Sequence, residues 1–347
     1  GYLAKEGTDV KFDYIVGTPP YQTELEGTSD KPVYNLFMDS AYPLADCVML
    51  ITPARFLFNA GKTPKDWNKK MLNDEHFKVC YYNKIGNKVF PNTDIKGGVA
   101  ITLHDMTRKF EAIGTYCPYP ELTSIMKKVT CYNNFVTIMD ICDDCVKFDL
   151  NALYKDYPDS RNNISSNGHE RRIISNAFNK IIAFHDIKQY DDDIEILGRS
   201  NNERVSKWIR HKYVITNSSF NYYKVILPQS NGSGTLGERM SAPLIGAPLI
   251  GYNQTFISFG QYHNENEAQA CLKYIKTKFA RVMLGILKAT QSNTKDKWRF
   301  VPLQDFSESS DIDWSLPVPQ IDKQLYAKYD LSDDEIEFIE SHVKAMD

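Results

Sequence analysis

A run rich in β-branched and aromatic residues, Phe12-Asp13-Tyr14-Ile15-Val16, stops abruptly at Gly17-Thr18-Pro19-Pro20-Tyr21. Two successive prolines remove two backbone donors and fix φ near −65°, so a hydrogen-bonded strand cannot continue through them. The spacing predicts a strand that ends in a stiff loop, the form expected where a strand finishes at a site holding a flat ligand. The plainer reading of the same residues is a Pro-Pro turn that caps a sheet edge.

The residues that follow keep to a regular order. Asn35 to Ala45 places Leu36, Phe37, Ala41 and Leu44 at helical spacing, and Cys47 to Pro53 is an apolar, buried-type strand that ends at a proline. Together with the first strand these predict one strand, helix, strand unit of a parallel sheet. A helix end at Lys69 to Asp74, a strand from Val79 to Asn83, and a loop from Val89 feeding a strand through Leu103 come next. With 347 residues, 42% of them hydrophobic, the chain can bury one or two cores, so two domains are expected.

Thr18-Pro19-Pro20-Tyr21 resembles motif IV of amino-methyltransferases, usually Asn-Pro-Pro-Tyr, with Thr18 where the Asn stands. The order of elements after it resembles the later half of an adenine-N6 DNA methyltransferase of the restriction-modification type, and Trp298 to Tyr329 is similar to the ending of such proteins. The resemblance implies that Pro19 accepts a hydrogen bond from the target amine through its carbonyl and that Tyr21 stacks on a base flipped from the duplex. Thr18 would take the acceptor position with a shorter hydroxyl, and Pro20 stiffens the loop. Phe90, in the loop before the last strands, either closes on the other face of the base or is a core residue beside a turn. Asp13 and Lys96 are expected to face solvent.

The fold this implies is α/β: the C-terminal half of a Rossmann-like methyltransferase sheet dependent on S-adenosylmethionine, followed by a mixed α+β target-recognition domain. Expected divisions are residues 1–128 for the sheet, 129–306 for recognition, and 307–347 for an acidic tail with a short helix. The glycine-rich loop that grips S-adenosylmethionine lies upstream of motif IV in the family, and only about a dozen residues precede the motif here. The chain is therefore expected to be a fragment, or to work with an upstream methyltransferase half or a restriction subunit. A non-catalytic DNA-binding or specificity protein derived from such an enzyme is the alternative.

A net charge of −3 argues against a wholly basic nucleic-acid coat, but the charge is segregated. Gly198 to Met240 holds seven Lys and Arg against two Glu, Ala268 to Phe300 eight against one, and Asp305 to Asp347 twelve acidic residues against three Lys. The first two segments are expected either to face double-stranded DNA or to be ordinary solvated faces; the candidates are Arg199, Arg204, Lys207, Arg210, Lys212, Tyr222, Tyr223, Lys224, Lys276, Lys278 and Arg281. Trp208, Tyr213, Asn217, Phe220, Asn221, Gln229 and Asn231 are interleaved with the first segment, and amides of this kind pair with adenine edges.

Other features have mainly structural readings. Gly232-x-Gly234-x-x-Gly237 follows a possible strand, but Pro243 arrives too soon for a phosphate-docking helix, so a flexible loop in a binding surface is expected. Cys142-x-x-Cys145 lacks a second pair, so no metal is expected. Ala242-Pro243-Leu244-Ile245-Gly246 repeats at once as Ala247 to Gly251 and predicts two extended segments. Ser332-Asp333-Asp334-Glu335 is a capping box before a short amphipathic helix. Pro158-Asp159 with Glu170 and Arg171 lacks the Lys of a nuclease centre. With no signal peptide and no apolar run of membrane length, a cytoplasmic location is expected.

Overall fold

The computed structural model describes residues 11–23, 31–91, 95, 97–164, 170–200 and 203–346. Lys96, one of the residues expected to face solvent, lies outside them. The chain is mixed α/β with several sheets and divides into two compact units, Gly1–Pro118 and Tyr119–Asp347.

The first unit runs β1 (Phe12–Gly17), β2 (Gln22–Thr23), β3 (Lys31–Pro32), α1 (Tyr34–Ala41), β4 (Ala45–Pro53), α2 (Lys65–Leu72), β5 (Phe77–Asn83) and β6 (Val99–Asp105). Its main sheet has the order β1-β4-β6-β5. β1 and β4 are parallel, with α1 between them in sequence, which is the strand, helix, strand unit that the apolar spacing predicts. β6 is antiparallel to both β4 and β5. Ile15, Val48 and Leu50 share one core with Tyr34 and Met38 from α1 and Trp67 and Met71 from α2. The opposite face of β1 is uncovered: Phe12, Tyr14 and Val16 are 52%, 72% and 76% exposed. Parallel strands are normally buried on both faces.

The second unit contains α3 (Pro120–Cys131), β7 (Cys142–Asp143), β8 (Lys147–Phe148), α4 (Leu150–Asp156), α5 (Ala177–Lys180), β9 (Asp193–Ser200), β10 (Glu203–Arg210), β11 (Val214–Ile215) and β12 (Tyr223–Pro228). There follow β13 (Leu244–Gly246), β14 (Ile250–Tyr252), β15 (Phe256–Tyr262), α6 (Glu265–Lys276), α7 (Lys278–Gly285), α8 (Val318–Lys328) and α9 (Asp333–His342). One sheet has the order β10-β9-β14 and another β13-β12-β15-β7. The repeated pentapeptide therefore serves both: its first copy supplies β13 to one sheet and its second starts β14 in the other. Residues 307–347 carry α8 and α9, whose Ile321, Leu325, Phe338 and Ile339 are buried. The capping box at Ser332 and Glu335 is formed, and Glu335 also pairs with Lys128 of α3 at 2.8 Å.

Candidate base-binding site and charged surfaces

Loops of the first unit gather at the carboxyl edge of the parallel pair, where open α/β sheets bind ligands. Gly17 ends β1 opposite Leu50, Pro53 ends β4 opposite Val99, and Asn83 ends β5 opposite the same Val99. From this edge the chain leaves β1 with Thr18 exposed, Pro19 buried, Pro20 exposed and Tyr21 half-buried. The Tyr21 backbone is tied down, since its carbonyl accepts from Val33 N–H at 3.2 Å and the residues after it pair with β3.

The loop after β5 brings Phe90 to the same place. Its ring centroid lies 6.5 Å from that of Tyr21, with the planes 71° apart. This edge-to-face contact is favourable between two rings alone. A flat base sandwiched between them would require parallel faces opened to about 7 Å, twice a carbon contact distance. The Tyr21 hydroxyl is buried without a hydrogen-bond partner, and burial pushes the phenol up to about 12. A buried unsatisfied hydroxyl on a half-buried ring is a costly arrangement.

The return of this loop into β6 depends on glycine. Gly98 has φ +84°, and a Cβ there would stand 2.2 Å from the Asn83 carbonyl oxygen. Gly98 also accepts from Ala54 N–H at 3.0 Å, which fastens the loop to the end of β4. Arg55, next to Ala54, packs on Gly97, where a Cβ would meet its Cγ at 2.6 Å. Nothing in the local sequence singled Arg55 out, because its place at this edge depends on a glycine more than forty residues away.

Many cations of the two basic segments are paired within the second unit. Lys207 pairs with Asp186, Arg210 with Asp192 at 2.9 Å, Lys212 with Asp156 at 2.6 Å, and Lys278 with Glu340. Each acidic partner comes from outside the basic segment in which the cation was counted. Lys224 and Arg281 are core residues. Lys224 is wholly buried, donates to the carbonyls of Phe220, Tyr222 and Ala247, and is pushed down to about 8 by burial. Arg281 donates to the carbonyls of Lys276, Thr277 and Lys344. These two are corrected out of any phosphate-facing set, since burial leaves them no access to a ligand. Tyr222 packs edge-to-face on His263, Tyr223 and Lys276 are half-buried, and Arg199 and Arg204 sit opposite each other on the β9–β10 ladder. Of the interleaved residues, Tyr213, Phe220 and Asn231 are buried and Asn217 bonds to Tyr252.

The glycine loop is also corrected. Glu238 fills it, accepting from Ser233 N–H at 2.8 Å and Gly234 N–H at 3.0 Å, with Lys288 as its ion partner. A nest of backbone amides suited to an anion is thus closed by the protein's own carboxylate. Among the described residues no other glycine loop opens a helix after a strand, so they do not by themselves fit S-adenosylmethionine. Cys142 and Cys145 are buried, with thiols pushed up to about 12 and about 11 by burial. Among the described residues no cluster of His, Cys, Asp or Glu is arranged for a metal ion, and no helix is long and apolar enough to cross a membrane.

The first unit is thus a mixed α/β unit whose Pro-Pro-Tyr loop leaves the carboxyl edge of a parallel pair beside a second aromatic. Residues 2–90, which include Tyr21 and end at Phe90, match the family of the Eco57I restriction-modification methylase. This matched segment, 89 of the 347 residues, is similar to the restriction-modification methylases. No curated protein matches the chain. Among solved structures, the Type IIL restriction-modification enzyme MmeI in complex with DNA aligns with a TM-score of 0.40 and 8% identity. That alignment covers 95% of this chain and 56% of MmeI, so the chain spans about half the length of that enzyme.

Proposed function

We propose that the chain carries the later half of the catalytic unit of a site-specific DNA methyltransferase, acting on the N6 amine of adenine, followed by a target-recognition domain. S-adenosylmethionine would supply the methyl group. The observation that carries this reading is the closed Tyr21–Phe90 pair with its unpartnered buried hydroxyl, inside the segment that matches the methylase family. A base turned out of the duplex would part the two rings and stack on Tyr21. The exocyclic amine of adenine is conjugated with its ring, and acceptors held rigidly beside it favour the geometry in which it can react. Pro19 offers its carbonyl for this, and Thr18 a hydroxyl in place of an amide oxygen.

The uncovered face of β1 supports the further reading that strands and helices bearing the cofactor site pack there, from a methyltransferase half outside this unit. Seven free cysteines fit a reducing cytoplasm. Thr18 favours a second reading, a DNA-recognition protein that has lost the chemistry, because removing one aligned acceptor costs about a hundredfold or more in rate.

Transfer of tritiated methyl from S-adenosylmethionine to mixed-sequence duplex DNA tests the proposal, with the chain alone and with the polypeptide encoded beside it. Transfer only in combination, to adenine N6, raised in Thr18→Asn and abolished in Tyr21→Ala, is the expected result. No transfer in any combination, with salt-sensitive duplex binding retained, would leave the recognition protein.

A further inference from the structure

The second unit holds an open groove of about 780 Å³ lined by residues with polar side chains, among them Arg199 and three glutamines, Gln229, Gln254 and Gln291. Its backbone is held in place from three loops. Gln229 N–H donates to Thr255 carbonyl at 2.8 Å, Asn231 N–H to Gln291 carbonyl at 2.8 Å, and Gln254 N–H to Ile173 carbonyl at 3.0 Å. Ser230 and Ser292 add an antiparallel bridge. The main-chain groups that position the glutamines are therefore satisfied within the fold. The three side-chain amides are not: among the described residues they make no hydrogen bond. With Gln229 and Gln254 half-buried and Gln291 exposed, these amides present donors and acceptors to solvent or to a ligand in the groove.

Beside the groove, β9 and β10 set Arg199 directly opposite Arg204. Like charges at opposed ladder positions destabilise a sheet. Arg204 donates to the Ala242 carbonyl and lies over the Phe256 ring at 5.9 Å, and it has no ion pair among the described residues. Burial, and then the Arg199 charge, push the Arg204 guanidinium below its usual value. An anion between or beside the two guanidiniums would relieve this repulsion. A protein partner would be met by aromatic anchors in a groove, and this one has none; amides with cations are the means of reading nucleic acid.

We propose that this groove is the surface with which the protein reads duplex DNA: the Arg199–Arg204 pair takes a backbone phosphate, and the amides of Gln229, Gln254 and Gln291 read base edges. The inference rests on the DNA-directed reading above and deepens it. A glutamine amide pairs with the N6 and N7 edge of adenine in the major groove, so the preferred sequences contain adenine at the contacted positions.

The test is selection of bound duplexes from a random-sequence pool by the whole chain, followed by titration of the selected and scrambled duplexes over a range of salt. Arg199→Ala with Arg204→Ala should weaken binding to all duplexes alike and reduce the slope of log affinity against log salt by about one to two. Gln229→Ala, Gln254→Ala and Gln291→Ala should keep the slope and shrink the preference for the selected sequence by about 5- to 150-fold at the position each reads. Gln269→Ala, an amide of the same unit outside the groove, should change neither. Thermal melting of each variant establishes that it is folded. If the wild type binds and selects but the five groove substitutions leave slope and preference intact, the groove assignment is overturned while the DNA reading stands. If the wild type binds no duplex at any salt, the DNA reading is overturned with it.

Discussion

Substitutions at Tyr21 separate the ring from its hydroxyl. A buried hydroxyl without a partner costs about 1–3 kcal/mol when fully buried, and less here because the ring is only half-buried. Tyr21→Phe removes that group, so the first unit should melt at the same temperature or slightly higher; a gain of about 1 kcal/mol corresponds to about 4 °C. Tyr21→Ala removes the ring and its edge-to-face contact with Phe90 at 6.5 Å, a contact worth about 0.5–1.5 kcal/mol beyond the area it buries. Stacking on an extruded base is worth about 1–3 kcal/mol. Tyr21→Ala should therefore weaken capture of that base by about 5- to 150-fold, while Tyr21→Phe retains it. A duplex with 2-aminopurine at the target position reports the capture, because its fluorescence rises as it leaves the stack. Equal loss in Tyr21→Phe and Tyr21→Ala would refute the argument, since it would make the hydroxyl the working group. Because burial pushes the phenol up to about 12, it stays neutral through physiological pH. A capture step that titrates between about pH 6 and pH 10 in the wild type and not in Tyr21→Phe would refute it as well.

Three further outcomes are expected. Glu238→Gln leaves the Lys288 ammonium, 5% exposed, without its counter-charge; removal of one partner from such a pair costs about 3–5 kcal/mol, and calorimetry should show the second unit melting roughly 6 to 20 °C lower. Burial alone would raise the Glu238 carboxyl, but Lys288 and the amides of Ser233 and Gly234 hold it below its usual value. Its stabilising contribution is thus present above the unfolded carboxyl range and lost as pH falls through the lowered folded value. Lys224 is held at about 8 against an ordinary 10.5, so the unfolded chain binds the extra proton between these values. Wild-type stability relative to Lys224→Met should rise by up to about 3 kcal/mol from pH 8 to 10.5, as urea titrations would show. Gly98→Ala forces a Cβ to within 2.2 Å of the Asn83 carbonyl at φ +84°, and should destabilise the first unit by upwards of about 2 kcal/mol in the same assay.

The strand order of the first unit was legible because its signals are local. The run that stops at Gly17, the helical spacing after Asn35, and the apolar strand closing at Pro53 each carry their own punctuation, and β1, α1 and β4 follow them closely. Phe90 was legible only as one of two readings. Its meeting with Tyr21 depends on antiparallel pairing of β6 with both β4 and β5, which no local pattern specifies. The glycine loop was expected to be a flexible part of a binding surface and not a phosphate site, and its closure by Glu238 was not legible. Three glycines at the right spacing resemble an open phosphate cradle, and the residue that fills it, Glu238, stands immediately after the third. Its role is set by Lys288, fifty residues away.

Charge was the least legible quantity, for a geometrical reason. A window along the chain counts neighbours in sequence, whereas a hairpin, its flanking loops and the end of α4 put Asp192 against Arg210, Asp186 against Lys207, and Asp156 against Lys212. Once these pairs are subtracted, and Lys224 and Arg281 are placed in the core, the basic segment no longer forms a broad positive face. Arg199 and Arg204 stay opposed on the ladder itself, and Arg239 donates to the Ala345 carbonyl. Stability would favour a neutral or acidic residue at one of the two positions. A like-charged pair beside three amides without internal partners is therefore better explained by what binds there than by what folds there.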